Sequence, residues 1–273
     1  MRRVITASIL LPLFIWLILA CPTKYVSIIG GGILCLAAWE WAAIIGAVQA
    51  RDKSLILIGM VMLGILVKLW LPMLLVSTVA LGWWVTGLLA ISIYPYGQQF
   101  WRNMYVGLVV GCCVFIPTWL AIGYLHSLPK IYDFGEGQGG GGWLLLFACS
   151  LVWLSDIAAY YAGRAWGKRK LLVAVSPGKT WAGVYAAILA AGCAAVLANW
   201  LWFPWIRLSN LLLLSIITVA AGIVGDLVES MFKRVRGVKD SGTLLPGHGG
   251  VLDRIDGLLA GLPVFALGMQ FII

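Results

Sequence analysis

Charge is what this chain has least of. Asp, Glu, Lys and Arg supply 11% of its 273 residues, against about 25% in a soluble domain. Hydrophobic residues supply 62%, more than a soluble fold of this length can bury, so the solvent that suits the composition is a bilayer. The length fits one polytopic membrane domain over residues 1–273 rather than two soluble ones. Metal-ligand cysteine spacing is missing as well. The six cysteines, Cys21, Cys35, Cys112, Cys113, Cys149 and Cys193, all lie in apolar stretches without an extracellular disulfide pattern, and read as small buried hydrophobes. A complete phosphate-binding P-loop is missing too: Gly178-Lys179-Thr180 supplies its end, but Val173 stands where its first glycine belongs.

In place of charge there are long apolar runs. Nine hydrophobic segments fall at roughly 4–22, 26–48, 54–71, 73–94, 104–126, 143–163, 181–203, 209–229 and 251–272. The third and fourth share one stretch, Ser54 to Trp101, whose only charge is Lys68, and Pro72 divides it because proline interrupts a helix. Arg2-Arg3 followed by an apolar run ending Ile18-Leu19-Ala20-Cys21 has the outline of a signal peptide, but more membrane sequence comes after it, so a retained span is expected. The expected fold class is all-α: a polytopic membrane helix bundle of about nine spans with a cytoplasmic N-terminus. With that orientation the inner loops hold fifteen basic residues, and the outer ones hold only Lys24, Lys68, Lys130 and Arg207. The net charge of +9 then reads as inner loops facing anionic lipid headgroups and anionic substrates, with no role for nucleic acid. Tryptophans near span ends read as interfacial anchors. The run Gly139 to Gly142, near Asp133 and Glu136, reads as a flexible outer loop.

The scarce polar residues concentrate in two inner regions. In the later one, Asp226, Glu229, Ser230 and Lys233 fall at i, i+3, i+4 and i+7, which is one helical face at the end of the eighth span. A basic run from Lys233-Arg234 to Lys239-Asp240 comes next, then the glycine-rich Pro246-Gly247-His248-Gly249-Gly250. The ninth span opens with Asp253-Arg254-Ile255-Asp256. Glycines let backbone N–H groups approach phosphate, and a helix N-terminus favours negative charge. Asp253 and Asp256 share a helix face and, with Asp226, suit a hard cation that also binds substrate phosphate. Lys233, Arg234, Lys239 and Arg254 are candidates to neutralise phosphate oxygens. In the earlier region Asp156, Tyr160 and Arg164 lie on one face, followed by Lys168 and then Ser176-Pro177-Gly178-Lys179-Thr180, a turn that presents a lysine and hydroxyls near a helix start. Glu40, inside the second span, is either a proton-relay or substrate residue or the partner of a polar group on another helix. Lys68 is expected to snorkel to the outer surface.

These residues resemble the signature of the phosphatidate cytidylyltransferases. The likeness runs from Ser230 through Lys233-Arg234, Lys239-Asp240 and Pro246 to Asp256, with Asp156, Tyr160, Gly163-Arg164, Gly167-Lys168 and Ser176 to Trp181 upstream. It is strong over the C-terminal half and rests mainly on hydropathy in the N-terminal half. Ala182 departs from the pattern, since many members carry a polar residue there. The resemblance implies transfer of a cytidylyl group from CTP to phosphatidic acid, giving CDP-diacylglycerol and pyrophosphate. It implies Mg²⁺, with a second cation such as K⁺ sharing the site, and a homodimer in a bacterial-type inner membrane with the active site facing the cytoplasm. Spans in 1–126 would form the N-terminal part, and 143–273 would carry catalysis. The candidate catalytic set is Asp226, Lys233, Arg234, Lys239, Asp240, His248, Asp253, Arg254 and Asp256, with Asp226, Asp253 and Asp256 as metal ligands. The candidate substrate-binding set is Asp156, Tyr160, Arg164, Lys168, Ser176, Lys179, Thr180, Ser230, Gly249 and Gly250. A CTP-dependent enzyme acting on a polyprenyl lipid, a transporter and a CDP-alcohol phosphotransferase are the rival readings. A transporter would need polar residues near the bilayer midplane, and the longer aspartate motif of the phosphotransferases is missing.

Overall fold

The computed structural model describes residues 2–128, 140–244 and 249–272. Proline sets several helix boundaries. The first helix, α1 (Arg2–Ala20), gives way at Pro22 to α2 (Thr23–Ile44). The long apolar stretch breaks at Pro72, as expected, into α3 (Ala50–Trp70) and α4 (Met73–Ile93). The four-residue α5 (Gln98–Trp101) leads to α6 (Met104–Ser127), whose N-cap Asn103 accepts a hydrogen bond from Tyr105 N–H at 2.8 Å. Then come α7 (Gly140–Trp166), an antiparallel pair β1 (Lys170–Leu172) and β2 (Ser176–Thr180), α8 (Trp181–Leu201), α9 (Leu208–Val235) and α10 (Leu252–Ile272). Among the described residues eight helices, α2–α4 and α6–α10, are long and apolar enough to cross a membrane. The 19-residue α1 lies where the first of the nine expected spans falls. The molecule is therefore an all-α polytopic membrane bundle. Prolines 12, 117 and 263 lie inside helices, where neighbouring helices can satisfy the freed backbone groups.

Two expectations are corrected. Gly140, Gly141 and Gly142 are the first turn of α7, and the last two are buried, so this stretch is helix packed against its neighbours rather than loop. Lys130, Asp133, Glu136 and Gly139 lie outside the described residues. The Ser176–Thr180 segment is a strand rather than a turn: the turn precedes it, and pairing with Lys170–Leu172 extends its backbone up to the start of α8. Finally, α9 runs on to Val235, past the end of the apolar segment at about residue 229, and carries Lys233 on the helical face expected for it.

The innermost span is α10, and α3 is the least enclosed. Along its length α10 packs on α9, and it also touches α2, α4, α6 and α7. Small residues make such contacts close. On α8, Ala187, Ala191, Ala195 and Ala198 form a buried stripe, and α8 packs against α7 and α9. Two large apolar clusters result, with a small third one at Val76, Ile116 and Leu120. One includes Leu145, Phe147, Leu214 and Phe265, the other Trp41, Trp84, Phe232 and Leu252, and Ile255 of α10 packs against both. The contact that brings the acidic residues together is between α9 and α10. A Cβ at Gly225 would stand 2.8 Å from the Asp256 carbonyl oxygen and 3.0 Å from Ala260 Cβ. Only glycine lets these two backbones meet here.

Gly225→Ala should therefore destabilise the protein by about 1–3 kcal/mol, the usual cost of overpacking against atoms that cannot move aside. Gly192→Ala, where a new Cβ meets nothing within 4 Å, should be neutral or stabilising. Thermal unfolding in detergent compares the two; equal midpoints would contradict the close α9–α10 contact.

Candidate active site

The α9–α10 contact gathers four of the chain's ten acids at one end of the bundle. Asp226, Glu229 and Asp256 each present a carboxylate oxygen within 4.8 Å of the others. Asp156 on α7 is near enough to Asp226 and Lys179 to feel both charges. Two lysines offset this negative charge. Lys179, on β2, ion-pairs with Asp226 at 2.6 Å. Lys233, buried on α9, lies between Glu229 at 2.7 Å and Asp253 at 2.8 Å. Ser230 Oγ donates to Asp226 Oδ1 at 3.3 Å. The helical face read from the sequence is thus real, and its members bond along it.

Asp253 has a different set of partners from the trio. Its carboxylate accepts from Lys233 Nζ at 2.8 Å, from Ser241 N–H at 3.1 and 3.2 Å, and from Gly250 N–H at 3.1 Å. The bond to Gly250, three residues earlier, ties the loop to the first turn of α10. Gly249 adopts a left-handed φ of +85° beside it. Glu229, absent from the predicted ligand set, takes the third place among the clustered carboxylates.

Glu40 explains how the loop is held. It is 3% exposed. Its Oε1 accepts from Val251 N–H at 3.1 Å, and its Oε2 accepts from Leu252 N–H at 2.9 Å and Ser241 Oγ at 3.0 Å. A carboxylate here satisfies otherwise orphaned donors and faces the positive end of the α10 dipole. A Cβ at Gly250 would collide with Ser241 Oγ and fall 2.5 Å from Glu40 Oε2, so the loop needs glycine at this point. Of the two readings of Glu40, the structure supports pairing with another helix. Ser241 carried no sequence signal.

The other predicted residues are dispersed. Thr180 caps α8, its Oγ1 accepting from Gly183 N–H at 3.2 Å. Arg234 donates to the Val175 carbonyl at 3.2 Å, pinning the strand pair to α9. Arg164 and Tyr160 approach each other at 3.4 Å on the surface. Lys168, Lys239, Asp240 and Arg254 lie toward the surface, and Ser176 is half-buried. His248 lies outside the described residues. Arg236 donates to the carbonyls of Ile45 and, at 2.8 Å, Arg102, tying the end of α9 to the ends of α2 and α5. Desolvation, together with the charge of Arg102, lowers its pKa from the ordinary arginine value.

The trio fits a divalent cation. Its donors are hard carboxylate oxygens, they converge within 4.8 Å, and Glu229 Oε1 is buried without a hydrogen-bond partner among the described residues. A buried carboxylate oxygen with no donor is costly unless something positive completes it.

Comparisons with known proteins agree with this chemistry. The model of the "Cytidylyltransferase family" matches residues 1–272. A Pseudomonas aeruginosa protein named phosphatidate cytidylyltransferase is 39% identical over 269 residues, which is 97% of this chain and 95% of that protein. A Haemophilus influenzae protein of the same name is 34% identical over 301 residues, covering 100% of this chain and 99% of its own length. A Staphylococcus epidermidis protein of that name is 37% identical over 163 residues, 60% of each chain.

Replacing Glu40 by Gln turns an amide NH₂ toward backbone donors and should destabilise the protein by roughly 1–3 kcal/mol. The loop should loosen before the bundle does. Limited trypsin digestion reads this as faster cleavage after the exposed Lys239, and unchanged cleavage and unfolding would contradict the capping role.

Proposed function

The chain belongs to the cytidylyltransferase family, and from that premise we propose that it transfers a cytidylyl group from CTP to phosphatidic acid, giving CDP-diacylglycerol and pyrophosphate for phospholipid synthesis. The observation that carries the reading is the convergence of Asp226, Glu229 and Asp256 beside Lys179 and Lys233, at one end of apolar helices. That is where a water-soluble triphosphate and a membrane-held phosphate can meet.

The chemistry needs little from the protein by way of proton transfer. A phosphate monoester has a second pKa of about 6, so the phosphatidate headgroup is largely a dianion at neutral pH. Its oxygen attacks the α-phosphorus of CTP, the α–β phosphoanhydride bond breaks, and pyrophosphate leaves. No general base is required. The barrier is repulsion between two anions and charge gathering on the leaving group. A divalent cation on Asp226, Glu229 and Asp256 supplies Lewis-acid neutralisation of the triphosphate. In this reading the cation is Mg²⁺, with K⁺ as a second ion. Lys179, the more exposed lysine of the cluster, turns its ammonium to a phosphate oxygen. Lys233 remains between Glu229 and Asp253 and holds α9 to the loop. Ser176, Lys168, Arg164 and Arg254 flank the cluster in sequence and are the further candidates to meet phosphate; Gly249 offers a backbone approach, whereas the Gly250 N–H is already taken by Asp253. The N-terminal spans within 1–126 buttress a catalytic part within 143–273 as one domain. The enzyme works as a homodimer in a bacterial-type inner membrane with this end in the cytoplasm, as the excess of basic residues there suggests.

Label should pass from CTP to phosphatidate in detergent micelles with Mg²⁺ and stop with EDTA. Asp226→Asn and Asp256→Asn should each lower turnover by roughly 100-fold or more without lowering the unfolding temperature. Full, metal-dependent turnover by either variant would remove the trio from the mechanism.

A further inference from the structure

A second charged feature lies at the opposite end of the bundle. A cleft of about 490 Å³ opens between the start of α2, the end of α3, the start of α4 and the end of α6. Lys24 and Lys68 both line it, although they come from different helices. Lys68 Nζ stands 6.0 Å over the Trp119 ring, and Trp119 Nε1 donates to the Ser27 carbonyl at 2.9 Å, closing one wall. Ser27, Tyr124 and Ser127 add hydroxyls. Thr23 and Met73, the first residues of α2 and α4, also line the cleft, and neither helix has a side-chain N-cap.

Both lysines are exposed on the cleft's rim, where one anion could accept from both of them. Among the described residues no carboxylate pairs with either lysine. Asp52, on the same helix as Lys68, is in its first turn while Lys68 is in its last, roughly 24 Å away along the axis. The remaining walls are apolar, with Ile28, Val76 and Leu120 among them. A free phosphate has no use for such walls, whereas a lipid phosphate does, because its glycerol and first methylenes lie directly beneath it.

We propose that this cleft, through Lys24 and Lys68, binds the phosphate headgroup of an anionic phospholipid from the leaflet opposite the acidic cluster. The site is independent of the transfer reaction, shares no residue with it, and makes the protein sensitive to the anionic lipid content of its membrane. Phosphatidylglycerol is a suitable probe because its phosphodiester cannot replace the phosphate monoester acceptor.

The full-length protein in detergent micelles is titrated separately with phosphatidylglycerol, phosphatidylcholine and inorganic phosphate. The unfolding midpoint and the lipids retained in native mass spectra are read for each. Phosphatidylglycerol should raise the midpoint by several degrees and leave a retained lipid, while the other two should do neither. The double variant Lys24→Gln/Lys68→Gln should lose that gain while keeping wild-type cytidylyl transfer. If the double variant does not fold, Lys68→Gln alone should lose most of the gain and Lys24→Arg/Lys68→Arg should keep it. An equal gain with phosphatidylcholine, a gain reproduced by phosphate alone, or an undiminished gain in the glutamine variants would overturn the proposal.

Discussion

Three carboxylates within 4.8 Å of one another at the end of an apolar bundle are a source of strain that the surrounding structure must offset. Were two of them ionised at that distance, they would repel by roughly 3 kcal/mol at an effective dielectric constant near 20. Lys179 and Lys233 relieve part of this, each from a different direction. Much of the local architecture serves to hold those two amino groups in place. The strand pair carries Lys179, and Arg234 pins it to α9 through the Val175 carbonyl. Lys233 is fixed from the far side by Asp253, whose remaining lone pairs hold Ser241 and Gly250.

The offset is incomplete, and on that ground we propose the cluster as the site. Glu229 Oε1 has no hydrogen-bond partner among the described residues, and the acids around Asp226 outnumber the lysines. In the proposed reaction a divalent cation would complete the balance, and substrate phosphate would draw on the same lysines. Charge gathered at one end of the spans also argues against transport, which would place polar groups near the midplane. The cleft at Lys24 and Lys68 is the counterpart of this arrangement: there cations are left over, and the ligand that suits them is an anion.

Much of this was legible in the sequence because membranes simplify reading. Apolar length gave the spans, and Pro72 divided the ambiguous one correctly. The i, i+3, i+4, i+7 spacing put Asp226, Glu229, Ser230 and Lys233 on one face. Which acids converge was harder to read. Asp253 and Asp256 look equivalent in sequence, but Asp253 is taken up by Lys233 and the loop N–H groups, and Glu229 joins Asp226 and Asp256 instead. That sorting depends on the α9–α10 approach at Gly225, a tertiary fact. Glu40 shows the same limit. Its partners are 201 to 212 residues away, and no local pattern announces a carboxylate capping another helix. The glycines at 140–142 misled because glycine marks loops in water but close helix packing in membranes.

The central claim is that Asp226, Glu229 and Asp256 hold a divalent cation, while Asp253 holds the loop. Electron paramagnetic resonance of Mn²⁺ titrated into the purified protein tests it most directly, because it reads the ion without substrate or turnover. Bound Mn²⁺ should be weakened strongly by Glu229→Gln and by Asp256→Asn, and should compete with Mg²⁺. Mn²⁺ binding that survives both substitutions but is lost in Asp253→Asn would contradict the account and make Asp253 the ligand.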